Sequence, residues 1–284
     1  MPRTVLFATD LTCRADRALD RATNLALEWQ GRLVVVHAVE GRAPVPEESW
    51  RATPEPRIAA LRRIHADMHD PVAVPLEVIV EHAEPVALVL ATVMRVQPDL
   101  VITGIARDET LGRAILGSTV DALARRSPVP VLAVKTRPRA RYRHVVVASD
   151  FSEHSRHALV TALAYFPDAT IQLFHAFDIA FESFIDNKTA AREAFREQAE
   201  ARAQEFLAAT PIPAGRDVAV LYDSGEPERR LHDLVRAHDI DLVVSGTRGH
   251  GRLATLLLGS VARRLLAILP IDVMVVPHPA PSNP

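Results

Sequence analysis

The sequence predicts two successive α/β domains, each built on an open parallel sheet with helices on its faces. Three observations lead there: a length of 284 residues, an internal duplication, and short apolar runs alternating with helical patterns. At roughly 100–200 residues per domain the length suits two domains, each able to bury its own core. The duplication divides the chain near its middle. Residues 4–12, TVLFATDLT, return as HVVVASDFS at 144–152, 140 residues on. EHAEPVALVLATVMRVQPDLVITG returns as DSGEPERRLHDLVRAHDIDLVVSG, 142 residues on, and VLAV at 131–134 meets VMVV at 273–276. The paired positions include Glu84 with Glu226, Pro85 with Pro227, Asp99 with Asp241, Gly104 with Gly246, and Gly117-Ser118 with Gly259-Ser260. A period this long means two domains rather than a solenoid, whose repeats run at about 20–50 residues. The boundaries fall at 1–137 and 143–278, with a polar linker around KTRPRARYR at 135–143.

In the first half Val5–Ala8, Leu33–Val36, Leu76–Val80, Leu100–Thr103 and Val131–Val134 are apolar runs without polar alternation. That pattern fits strands covered on both faces. Between strands, Ala18, Leu19, Ala22, Leu25, Ala26 and Trp29 fall on one helical face, as do Ala158, Leu159, Ala162, Leu163 and Phe166 in the second half. Thr12 and Ser152 are the expected N-caps of these helices. Strand–helix–strand alternation gives parallel sheets, and such sheets hold ligands beyond the carboxyl ends of their strands.

Composition removes several functions. Lys+Arg number 33 and Asp+Glu 35, a formal net charge of −2, so the basic face that nucleic-acid binding needs is not indicated. Cys13 is the one cysteine and forms no intrachain disulfide. The opening MPRTVLFATD lacks the features of a signal peptide, and no uncharged apolar run reaches about 18 residues. A cytosolic location is the resulting expectation.

The chemistry concentrates after the fourth strand of the second half, in SGTRGHGRLATLLLGSVARRLL. Gly246, Gly249 and Gly259-Ser260 stand at the spacing Gly-x2-Gly-x9-Gly-Ser. Glycines let backbone approach a phosphate, and a helix opening at Ser260 offers unpaired N–H groups to an anion. No lysine precedes Ser260 or Ser118, so this is not a Walker A loop, and the dinucleotide GxGxxG spacing is absent as well.

This pattern resembles the universal stress protein family, and the chain looks like two such domains in tandem. The resemblance spans roughly residues 3–136 and 143–277. It rests on the full glycine motif, the first-strand Asp10 and Asp150, and a closing apolar strand after Pro128 or Pro270. It implies Rossmann-like domains of the adenine nucleotide alpha hydrolase type, each with five parallel strands. It implies ATP, with Mg²⁺, across the strand ends of the second domain. Asp150 would then meet ribose or base, and the Ala176 backbone adenine. Gly246, Gly249, Gly259, Ser260 and the Val261 backbone would hold phosphates. It further implies a stress-response regulator or sensor, with the last strands making an intrachain pseudo-dimer or a homodimer. SGGxDS and HxGH, marks of related ATP pyrophosphatases and adenylyltransferases, are absent.

The first half departs from the motif. In TGIARDETLGRAILGST, Gly104, Gly117 and Ser118 remain beside Asp10, but Arg107 replaces the middle glycine. An arginine there either blocks a phosphate pocket or supplies it a cation. The expectation is one nucleotide site per chain, in the second half. A slow ATPase or phosphotransferase, and a scaffold without nucleotide, remain as alternatives. ATPase chemistry needs a base or metal ligand near the γ-phosphate, for which Asp150 is the one acidic candidate.

Other groups are weaker candidates. His65 and His69, with Asp67 or Asp70, have the spacing of a zinc pair but no further ligand. His37 and His175 end the second strands at matching positions and read as packed histidines. His250 reads as an exposed loop residue, and Arg248 and Arg252 suit charge neutralisation in the glycine loop. Cys13 follows an expected N-cap, where a helix end lowers a thiol pKa. Residues 181–209 read as a long crossover helix with Phe195 and Phe206 on its buried side.

Overall fold

The computed structural model describes residues 2–13, 15–39, 55–67, 74–105, 107–108, 113–114, 116–177, 187–247 and 258–278. The chain divides into two compact units, 1–141 and 142–284.

Unit 1 runs β1 (Thr4–Thr9), α1 (Asp16–Glu28), β2 (Arg32–Val39), α2 (Pro56–Asp67), β3 (Leu76–His82), α3 (Pro85–Val96), β4 (Leu100–Gly104), β5 (Arg107–Asp108), β6 (Arg113–Ala114), α4 (Ser118–Arg126) and β7 (Val131–Val134). Its main strands are all parallel in the order β3-β2-β1-β4-β7, and β5 and β6 form a small antiparallel ribbon. Unit 2 runs β8 (His144–Ala148), α5 (Glu153–Tyr165), β9 (Thr170–Phe177), α6 (Lys188–Ala208), β10 (Ala219–Ser224), α7 (Pro227–Ala237), β11 (Leu242–Gly246), α8 (Ser260–Ile268) and β12 (Asp272–Val276). Its parallel order, β10-β9-β8-β11-β12, repeats that of unit 1.

The repeated residues have structural explanations. Glu84 and Glu226 are the N-caps of α3 and α7, with Pro85 and Pro227 in the first turn, where a missing N–H costs nothing. The Glu84 carboxylate accepts from the N–H groups of Val86 and Ala87 at 3.0 and 2.7 Å. Asp99 accepts from the Thr4 N–H at 2.7 Å, and Asp241 from those of Arg143 and His144 at 2.7 and 2.9 Å. Each ties the start of its unit's fourth main strand to the start of the first. The helical faces pack as their periodicity requires: Ala18, Leu19, Ala22, Leu25 and Ala26 are buried under β1, and Ala158, Leu159, Ala162, Leu163 and Phe166 within unit 2. Trp29 is half-buried, with the Arg3 guanidinium 4.9 Å from its ring centre.

Three local expectations change. Ser152 caps α5, its hydroxyl accepting from the Ser155 N–H at 3.3 Å, but Thr12 does not cap α1. The α1 N-cap is Ala15, and the Thr12 hydroxyl instead donates to Asp10 at 2.7 Å. The carboxylate captures Thr12 in a turn of its own, and Cys13 therefore lies in that turn, ahead of the helix. Phe206 is buried, whereas Phe195 is 40% exposed and stacks on Phe177 with ring centres 6.5 Å apart. The polar linker also carries two buried residues, Lys135 and Tyr142. The Tyr142 hydroxyl donates to fully buried Asp272 at 2.6 Å, so this aromatic is part of the unit 2 core.

α3 ends on Gln97, an exposed residue in left-handed backbone (φ 48°, ψ 59°) whose N–H donates to Val93 at 2.9 Å. Glycine holds that conformation without the Cβ penalty. Gln97→Gly is expected to stabilise unit 1 by about 0.5–1 kcal/mol, after allowing for the extra freedom of glycine in the unfolded chain. Both tryptophans lie in unit 1 and all three tyrosines in unit 2. Tryptophan-detected thermal unfolding will therefore show a midpoint a few degrees higher.

Candidate functional site

The switch between β8 and β9 on one side and β11 on the other opens a cleft in unit 2. Its volume is about 460 Å³, within the range of small-molecule sites. The ends of β8, β9 and β11 supply Asp150, His175, Ala176, Gly246 and Thr247, and the first turn of α8 supplies Ser260, Val261 and Ala262 behind Gly259. Asp150, Ala176, Gly246, Gly259, Ser260 and Val261 thus line one cavity, although they span more than a hundred positions of sequence. Gly249, Arg248, His250 and Arg252 lie outside the described residues.

Each wall has a local cause. Asp150 accepts from the Ser152 N–H at 3.1 Å, which bends the chain between β8 and α5 and leaves Phe151 at φ 64°. Its counterpart Asp10 accepts from the Thr12 N–H at 2.9 Å, with Leu11 at φ 58°. Left-handed backbone is uncommon for residues this large, so the same strained corner has been kept in both units. The glycine loop is closed at its base where the Gly259 N–H donates to the Thr247 carbonyl at 2.7 Å. Gly259 then serves as the α8 N-cap without any side-chain hydrogen bond, so the helix start remains open to an anion. Gly246 has a separate reason to be glycine: a Cβ there would stand 2.9 Å from the His154 carbonyl oxygen of α5.

His175 lies two residues before the end of β9 and is buried, its Nδ1 2.8 Å from the Ser149 carbonyl oxygen. A carbonyl only accepts, so Nδ1 carries the hydrogen and Nε2 is the basic nitrogen. Burial lowers the His175 pKa; the bond to Ser149 opposes this, Arg202 adds to the lowering, and Asp150 raises it. The ring packs on Phe151 with centres 4.4 Å apart, and Phe151 packs on Phe206 of α6 at 5.5 Å. Sequence reasoning missed Arg202. One turn before Phe206 on α6, its guanidinium lies 5.6 Å from the Phe151 ring centre, with Nη2 3.4 Å from the Asp150 carbonyl oxygen. The four-residue spacing from buried Phe206 was the available signal, obscured by the many arginines of that helix. Among the described lining residues Asp150 is the only carboxylate and none is Lys or Arg, so Arg202, which reaches the Asp150 carbonyl, is a cation beside described walls that supply none.

Unit 1 has a matching cleft of about 610 Å³, lined by Asp10, His37, Gly104, Gly117 and the first turn of α4. His37 repeats the histidine contact, its Nδ1 2.9 Å from the Thr9 carbonyl oxygen. Gly117 is the uncapped N-cap of α4, and Ser118 opens that helix as Ser260 opens α8. The backbone of Arg107 pairs with Ala114 in the β5–β6 ribbon, while its side chain lies outside the described residues. Among the weaker candidates, His65 lies on α2 and Asp67 pairs with Arg63 at 3.6 Å, whereas His69 and Asp70 lie outside the described residues. No group of three or more His, Cys, Asp or Glu among the described residues could hold a metal ion. No described helix is long and apolar enough to cross a membrane.

The family model for the universal stress protein family matches residues 1–135 and again 141–277. The chain belongs to the universal stress protein family. As a tandem universal stress protein it carries the fold twice, which is why strand order, the strained corner and the histidine contact recur. A curated relative from Thermus aquaticus, a universal stress protein in the QAH/OAS sulfhydrylase 3′ region, is 30% identical over 141 residues, 48% of this chain and 98% of that protein. Two solved structures share the fold along nearly the whole chain. A functionally unknown protein of Pseudomonas aeruginosa PAO1 is 19% identical with a TM-score of 0.67, covering 97% of this chain and 92% of that one. A universal stress protein from Archaeoglobus fulgidus DSM 4304 is 17% identical with a TM-score of 0.65, covering 98% and 99%.

Proposed function

We propose that unit 2 binds an adenine nucleotide, ATP with Mg²⁺, and that the protein is a cytosolic stress-response regulator or sensor working as a homodimer or intrachain pseudo-dimer. The carrying observation is the convergence of Asp150, Ala176, Gly246, Gly259, Ser260 and Val261 on one cavity at an uncapped helix start. The donors fit a polyphosphate. The first turn of α8 presents backbone N–H groups, and Thr247 and Ser260 add hydroxyls. A single lining carboxylate is a poor cage for a divalent ion, so Mg²⁺ is held mainly by the nucleotide's own phosphates. Asp150 already accepts a hydrogen bond from Ser152, and a second acidic group for activating water is absent from the described walls. Both points favour binding over fast hydrolysis.

Calorimetric titration of ATP with Mg²⁺ into wild type and Gly249→Arg tests this reading. The substitution copies the arginine of unit 1 into the motif of unit 2. One site per chain in wild type, lost in the variant, is the expected result. No binding by wild-type protein, with no adenine nucleotide released on denaturation, would overturn it in favour of a scaffold.

A further inference from the structure

We propose that the outward face of α3 is a self-association surface, on which a second copy of this chain docks by an antiparallel, two-fold pairing of α3 with α3. The inference stands apart from the nucleotide reading of unit 2. Its basis is a contrast between the duplicated helices. The inward face of α3 packs Val86, Val89 and Val93 into the unit 1 core. Its outward stripe is Ala87, Leu90, Ala91 and Met94, at the three- and four-residue spacing of one helix face. Ala87 and Ala91 are exposed, Met94 is 69% exposed, and Leu90 is half-buried. The corresponding positions of α7, 142 residues on, are Arg229, His232, Asp233 and Arg236. A surface helix keeps polar groups on its outer face, as α7 does. Packing within unit 1 therefore accounts for one face of α3 and leaves the apolar stripe on the other without a cause.

That stripe is complementary to itself when turned end for end. Its centre lies between Leu90 and Ala91, so a two-fold axis there brings Met94 of one copy over Ala87 of the other, a large side chain against a small one, and does so twice. Ala91 meets its own copy across the axis, where small side chains let two helices approach closely. Glu84 and Arg95, both exposed, are about three turns apart and fall on one flank of the stripe, one at each end. End-for-end pairing sets Glu84 of each copy beside Arg95 of the other, whereas parallel pairing opposes like charges. The helix dipoles favour the same antiparallel sense. A helix of 12 residues presents less than the standard interface of about 1,600 Å², so the association is weak and concentration-dependent.

The test is sedimentation velocity of the full chain from micromolar to submillimolar concentration, on wild type and Met94→Glu. Wild type is expected to exchange between monomer and dimer, and Met94→Glu, which sets a charge against Ala87, to weaken the dimer about tenfold or more. Cysteine cross-linking in a Cys13→Ser background reads the orientation, and decides the matter if Met94→Glu does not fold. Ala91→Cys should form a disulfide with its own copy under mild oxidation, and Ala87→Cys only when mixed with Met94→Cys. Wild type that stays monomeric throughout overturns self-association through α3. A dimer indifferent to Met94→Glu places the contact elsewhere, as on the last strands, and overturns it too. Ala87→Cys linking to its own copy means parallel helices and overturns the two-fold pairing. ATP titration is untouched by each of these outcomes, so the nucleotide reading stands or falls separately.

Discussion

Gly31→Ala is expected to destabilise unit 1 by about 3 kcal/mol or more, enough to leave much of it unfolded at 37 °C. Gly31 joins α1 to β2. The Gln30 N–H donates to Leu27 at 3.0 Å and the Gly31 N–H to Ala26 at 2.8 Å, a Schellman ending in which Gln30, at φ 50°, takes the left-handed position. Glycine is therefore required one residue later than that motif alone suggests, and for a different reason. A Cβ on Gly31 would overlap the Arg3 carbonyl oxygen, which is the acceptor for the Arg32 N–H at 3.0 Å. Backbone meets backbone, so relief requires the starts of β1 and β2 to separate, breaking the register that places Asp10 and His37 in their cleft. Urea unfolding read by tryptophan fluorescence measures the effect. A loss below about 0.5 kcal/mol would show that the strands yield more readily than packed interiors generally do.

Gly246→Ala is the second large effect, about 1–3 kcal/mol against unit 2. The new methyl would meet the His154 carbonyl oxygen at 2.9 Å, its carbonyl carbon at 3.0 Å and its Cβ at 3.2 Å, so α5 has to move away from β11. Gly117→Ala is the contrasting change. Its backbone is extended (φ −63°, ψ 148°) and a Cβ there meets nothing within 4 Å, so the entropy gained in the unfolded chain offsets alanine's poorer fit at an N-cap and stability should change by less than about 0.5 kcal/mol. The two glycines belong to corresponding motifs yet answer to different constraints. Tyrosine-detected urea unfolding for the first and tryptophan-detected unfolding for the second separate them. Equal destabilisation by both would contradict the packing described.

The parallel strands, helix faces and the duplication were legible because they depend on periodicity and composition, which buried parallel strands and amphipathic helices impose over many residues. The pairs Glu84/Glu226 and Asp99/Asp241 were visible as repeats, but only coordinates show them as helix caps and strand ties. The rule for strand ends in parallel sheets located the cleft, and the family resemblance supplied Asp150, Ala176 and Val261 among the six residues that line it. What escaped was local competition and distant partnership. The Asp10 carboxylate outcompeted the α1 N–H groups for the Thr12 hydroxyl, and Tyr142 entered the core from a polar linker because Asp272 awaited it 130 residues away. Arg202 was hidden since its neighbours on Phe151 and Asp150 lie about fifty residues upstream. Such contacts have no period, and a sequence pattern does not register them.

The turns at Asp10 and Asp150 bear on how gene duplicates age. In each unit one carboxylate oxygen is occupied in turning the chain out of its first strand, whatever the cleft holds. A copy that gave up its ligand would still lose its corner by losing the aspartate, so selection for folding alone preserves it. Survival of that residue is therefore a record of architecture rather than of occupancy. Divergence after duplication should be sought where the chain's own construction makes no demand, as at Gly117, whose missing side chain nothing in the protein itself requires.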